Sequence, residues 1–216
     1  MAATIKLVRT VTQLLDWNTL NDTGSATPYL ESGQADISSQ ISCLFHIDMA
    51  QENTTAISDT AFCKVWGKSG STDEDWHEIA KLTYGTVAST QIDVSGGADA
   101  ADVSMACDTT KWSATMLGSK VFVHNVGTEA NSFIATVVDF TTTVNELWLM
   151  DGAGTDTTTA DKIYCLTVSP FSAVAQWNVR IPEEMWAAKA SFHNPDADAN
   201  YACRVRYTMI TDYTSV

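Results

Sequence analysis

Few residues of this chain are spaced for chemistry. His77-Glu78-Ile79-Ala80-Lys81 opens like the helix of a zinc peptidase, in which two histidines four apart hold the metal and the glutamate activates water. Lys81 stands where the second histidine would be, and the segment alternates with period two. A strand would hold positions four apart too far from each other for one zinc ion. Asp151-Gly152-Ala153-Gly154-Thr155-Asp156 and Asn194-Pro195-Asp196-Ala197-Asp198 offer oxygen ligands of the kind a hard cation such as calcium takes. Neither has the closing glutamate of an EF-hand, so both read as solvated turns, as do Asp99 with Asp102 and the cluster from Asp73 to Asp75. Ser95-Gly96-Gly97 matches no phosphate-binding loop. Glu183 and Glu184 point to opposite sides of an extended chain, unlike a glycosidase pair. His46, His77, His124 and His193 fall in four different segments, with no nucleophile motif beside them. No catalytic residue, metal ligand or cofactor site is assigned.

Aromatic residues are the remaining candidates. Most of the seven tryptophans, Trp66, Trp76, Trp148 and Trp177 among them, fall on the apolar phase of expected strands, where packing in a core is their default use. Trp17 and Trp186 lie in or next to expected loops, and Tyr29 shares the 16–33 stretch with Trp17. Those three are the interface candidates, because exposed aromatic side chains anchor protein contacts.

The elements that must position these residues are strands. Tyr201, Cys203, Val205, Tyr207 and Met209 share one face of a segment whose other face carries Arg204 and Arg206. Trp177, Val179 and Ile181 repeat the pattern upstream, and Ile41, Cys43, Phe45, Ile47 and Met49 do so near the start. Further strands are expected at 1–15, 61–66 and 76–82, with a long loop or arm at 16–33. From about residue 85 the composition shifts towards Gly, Ala, Asp and Thr. Short strands at 91–94, 103–107, 120–126, 133–140, 146–150 and 163–168 then follow, with a short helical turn possible at 111–117. No capped amphipathic helix is found. The expectation is an all-β chain: a β-sandwich or jelly-roll-like domain built from both chain ends (1–88 plus 166–216), with a small β-barrel or sandwich module (89–165) inserted.

Composition narrows the partners. With 26 acidic and 12 basic residues the net charge is −14, which opposes binding to nucleic acid and to anionic membranes. Cys43, Cys63, Cys107, Cys165 and Cys203 are odd in number and lack metal or redox spacing, so they are expected as reduced core residues. The first fifteen residues have no apolar core of a secretory signal, and synthesis and folding in a cytoplasm are expected.

Leu117-Gly118-Ser119-Lys120-Val121-Phe122-Val123, the strand from Phe133 to Phe140, Leu147-Trp148-Leu149-Met150-Asp151 and Ala160-Asp161-Lys162-Ile163 together resemble a small β-module common in structural proteins of tailed bacteriophages. Asp16-Trp17, Asp75-Trp76 and Arg204-Val205-Arg206 resemble its host sandwich. Ser119-Lys120 departs from the family's Gly-Asp. The resemblance implies a non-enzymatic virion protein, above all a head decoration (cement) protein on the capsid surface, made in the host cytoplasm. Its partners would be the major capsid protein and copies of itself as a trimer or dimer. A tail- or fibre-associated carbohydrate-binding protein is the alternative. The resemblance brings no catalytic residues and no cofactor.

Overall fold

A computed structural model describes residues 5–20, 29–52, 59–72, 75–84, 90–99, 102–108, 112, 114–126, 128–141, 143–150, 156–165, 174–196 and 199–214. The described chain is all-β, with only short 3-10 turns besides its strands, at Ala114–Met116 and Glu129–Asn131.

Sheet I brings the two ends of the chain together. Its order is β1 (Ile5–Leu20), β15 (Tyr201–Thr214), β4 (Ser42–Gln51) and β13 (Val174–Ile181), all antiparallel. β1 and β15 stay in register from Ile5 opposite Thr214 to Leu20 opposite Tyr201, broken only by irregularities between Gln13 and Asn18. Sheet II runs β2 (Tyr29–Glu31), β14 (Ala187–His193), β5 (Phe62–Lys68) and β6 (His77–Thr83), and β3 (Ala35–Asp36) also pairs with β14. The inner faces meet in one core in which Phe45, Ile47, Met49, Cys203 and Val205 of sheet I pack with Cys63, Val65, Ala190 and Phe192 of sheet II. Strict alternation along β4 makes this possible, since only every second side chain turns inward. Gly67 is required at one close approach: a Cβ there would lie 2.8 Å from Met185 Sδ and 2.7 Å from Ile79 Cδ1.

Between β6 and β13 the chain builds a six-stranded sheet of order β7 (Thr90–Asp93), β12 (Lys162–Cys165), β9 (Lys120–His124), β10 (Phe133–Thr141), β11 (Glu146–Leu149) and β8 (Ser104–Ala106). A bridge between Val94 and Cys107, with Asp108 N donating to Asp93 O at 3.1 Å, joins its two edges into a small barrel. The interior holds Ile92, Met105, Val121, Val137, Leu147 and Ile163. Gly118 enters β9 with φ +80°, the left-handed region that glycine adopts at little cost, and its N–H donates to Val137 O at 2.8 Å. Asp161 is fully buried and takes the N–H groups of Val126 (2.9 Å) and Thr158 (2.7 Å), which explains an acidic residue at that turn.

Several expectations need correction. The 16–33 stretch is not one loop: residues 16–20 continue β1 and 29–31 form β2, while 21–28 lie outside the described residues. β14 is a central strand that its alanines hide, because alanine is depleted in strands generally. Here Ala188 and Ala190 are wholly buried between the sheets and let the two approach. Asn194 and Asp196 are not solvated: both are buried, and Asp196 N donates to Asn194 Oδ1 at 3.1 Å while Asn194 Nδ2 donates to Ala199 O at 2.6 Å. Residues 197–198, the acidic loop at 151–155 and Asp73 lie outside the described residues. Cys43, Cys63, Cys107 and Cys203 are free and buried, and burial pushes the Cys43 thiol up to about 12 and that of Cys107 up to about 11.

Candidate interaction surface

The barrel covers one end of the outer face of sheet I. There Ala50, Val174 and Ala202 pack with Phe122 and Tyr164 of the barrel wall, and Trp17 closes the cluster with its ring 4.8 Å from Phe122. Trp17 was expected in a loop as an exposed anchor. It lies in β1 and is 3% exposed, because the irregular register between Leu15 and Asn18 brings its indole under the barrel.

Beside this seam lies a buried polar network. Asp48 accepts from Arg204 Nε (2.9 Å) and Nη2 (2.8 Å), from Arg206 Nη2 (3.1 Å), and from Gln176 Nε2 (2.8 Å). Lys120 of the barrel reaches Gln176 Oε1 from the other side. His46 bonds Asn178 Oδ1 through Nδ1 (2.6 Å) and Thr208 Oγ1 through Nε2 (2.7 Å). At the seam, burial raises the Glu52 carboxyl to about 7, and its Oε1 accepts from Thr19 Oγ1 at 3.2 Å. Burial likewise holds His124 below the usual imidazole range, where it stacks on Phe122.

Past the network the outer face of sheet I is uncovered. Cross-strand rows there read Gln13–Arg206–His46–Asn178, Val11–Thr208–Leu44–Arg180 and Arg9–Ile210–Ser42. All four arginines of the chain, Arg9, Arg180, Arg204 and Arg206, stand on this one face. Arg180 is bonded to Glu183 at 2.8 Å in a pair that is mostly exposed.

The outer face of sheet II carries the other two interface candidates. Tyr29 is 52% exposed, donates to Glu31, and sits edge-on to His193. Trp186 is half-buried under Lys68, 5.0 Å from Nζ to the ring centroid. They sit at opposite ends of β14, roughly 20 Å apart at strand rise. Lys68 and Lys189 also stand over Trp76 (5.4 and 4.4 Å), and Lys64 over Trp66 (5.1 Å). These ammonium groups occupy ring faces on which a sugar would stack.

Sequence reasoning expected Trp66, Trp76 and Trp148 in cores; Trp66 and Trp76 instead stand under lysines on the outer face of sheet II, and Trp148 is exposed. Leu147 and Leu149 take the inward phase of β11, so Trp148 turns out of the barrel and is 37% exposed. Leu-Trp-Leu-Met is apolar at every position, and periodicity cannot choose its phase. Among the described residues no group of three or more His, Cys, Asp or Glu is placed to hold a metal ion. His46, His77, His124 and His193 remain apart, and Glu78 of the zincin-like segment pairs with Lys64 at 2.6 Å. No described helix is long and apolar enough to cross a membrane.

No family model matches the chain, and no curated protein matches it. Among solved structures it is similar to VP17, a capsid protein of bacteriophage P23-77, at 11% identity over 96% of this chain and 99% of that one, with a TM-score of 0.17. The VP16–VP17 complex, of the two major capsid proteins of the same phage, matches at 12% identity over 95% and 99%, with a TM-score of 0.18. Scores of that size do not define a common fold.

Proposed function

We propose that the chain is a non-enzymatic structural protein of a bacteriophage particle, a head decoration protein held on the capsid exterior by the major capsid protein and by copies of itself. In this reading residues 1–88 and 166–216 form the gripping sandwich and 89–165 the module that points outward. The observation that supports it most is the uncovered outer face of sheet I, which mixes arginines with Val11, Leu44 and Ile210. Such a surface suits protein contact, where arginine and apolar groups are enriched. The phage-module resemblance of the barrel segments supports the same class.

Quantitative mass spectrometry of purified particles tests it. A ratio to the major capsid protein near one, or a simple fraction of it, is expected. A handful of copies per particle would move the chain to tail or neck, and absence from particles would end the reading. The alternative, a carbohydrate-binding fibre protein, draws on Trp66, Trp76 and Trp186 lying on one sheet. The lysines over these rings oppose it, and added polysaccharide is expected to leave tryptophan emission unchanged.

A further inference from the structure

The arginine face has a counterpart on the chain itself. On the barrel wall away from the seam, Trp148 stands exposed beside Met150 (59% exposed), and the Asp139 opposite it and the neighbouring Glu146 supply negative charge. On sheet I, Arg9, Ser42, Leu44, Arg180, Thr208 and Ile210 line an open depression of about 320 Å³. That is the lower end of the volume of ligand-sized clefts, about 300–1,000 Å³. We propose that the acidic, tryptophan-bearing barrel wall of one copy docks on the arginine face of sheet I of a second copy.

Three observations carry this. The two surfaces are opposite in charge: Arg9 and Arg180 line the one, where Arg204 and Arg206 are already held by Asp48, and Asp139 and Glu146 stand on the other. Both have exposed apolar side chains, Val11 on one and Met150 on the other, that association would remove from water. Guanidinium groups stack on indole faces, and this chain already makes that contact within itself, where Arg204 lies 4.4 Å from the Trp17 ring. Arg180 is free to exchange partners, since an exposed pair such as its contact with Glu183 is worth about 0–1 kcal/mol. The contact joins two different patches, so it is head-to-tail and closes into a ring or extends, unlike a two-fold dimer. The proposal rests on the structural-protein reading only in supposing that copies meet at high density.

Sedimentation velocity of the full chain tests it with two charge reversals, Arg180→Glu and Glu146→Arg. The wild type is expected to associate, more weakly as salt rises. Each variant alone is expected to bind itself about tenfold more weakly or worse. An equimolar mixture of the two is expected to recover pairing and form at least a dimer, because the intact barrel wall of one meets the intact arginine face of the other. Formation of that dimer also shows that both variants fold. A wild type monomeric up to about 1 mM, the weak limit of specific association, would overturn the proposal. So would a variant that associates like the wild type, or a mixture that fails to pair. Particle stoichiometry is independent of these outcomes: a chain present at a simple ratio yet monomeric in solution would sink this contact and leave the decoration reading standing.

Discussion

The Arg204 guanidinium carbon stands 4.4 Å from the centroid of the Trp17 indole while its Nε and Nη2 both hold Asp48 Oδ2. One side chain thus ties the apolar seam under the barrel to the polar network on sheet I, and the packing of each depends on the other.

Replacing Trp17 tests the apolar half. Trp17→Ala removes the ring that packs against Phe122 and leaves a cavity, at an expected cost of about 3–5 kcal/mol. The loss concentrates at the seam, so hydrogen exchange is expected to quicken in β9 and β12 more than in β5 and β14. Uniform loss of protection across both sheets would contradict a local seam.

Asp48 is the polar counterpart. Asp48→Ala leaves Arg204 and Arg206 beside each other with no carboxylate between them, and breaking a buried pair from one side costs about 3–5 kcal/mol. For a chain of this length that is a fall in Tm of roughly 10 °C. A calorimetric Tm within a degree or two of the wild type would show that the network contributes nothing to folding.

Glu52 makes stability depend on pH. Burial is the main cause of its raised value of about 7; nearby Glu129 adds to it and the Thr19 hydrogen bond opposes it. A carboxyl raised above its unfolded value favours the protonated folded state, so its stabilisation is complete below about 4.3 and is lost as pH rises through about 7. The expected loss is up to about 3 kcal/mol. His124 and His193, both held below the usual range, act in the opposite sense, destabilising as pH falls. Denaturant melts of wild type and Glu52→Gln from pH 4 to 8 isolate the carboxyl, since the histidine contributions cancel in the difference. The variant is expected to gain on the wild type as pH rises; parallel curves would refute the assignment.

Gly67 allows a test of packing in β5. Gly67→Ala forces a methyl against Met185 and Ile79, at a cost of about 1–3 kcal/mol. The double variant Gly67→Ala with Met185→Ala is expected to recover part of that loss. No recovery in a double-mutant cycle would mean that Met185 is not what the methyl meets.

What the sequence determined by itself was local. Alternation along 41–49 and 201–209 specified strands and their inward faces, because the side-chain period of an extended chain is two. The free, buried state of Cys43, Cys63, Cys107 and Cys203 and the dispersal of the histidines were legible for the same reason: each depends on type and phase. What only the tertiary structure decided was which outward faces are covered. Trp17 and Trp148 exchanged places, the first buried by a register irregularity in β1 and the second turned out by the phase of Leu147 and Leu149. β14 was hidden because buried alanine reports close sheet packing and not strand propensity. Arg9, Arg180, Arg204 and Arg206 span nearly the whole chain, and only antiparallel pairing of its two ends with β4 and β13 sets them on one face. Pairing of that range is set by closure of the core, and no window of sequence contains it.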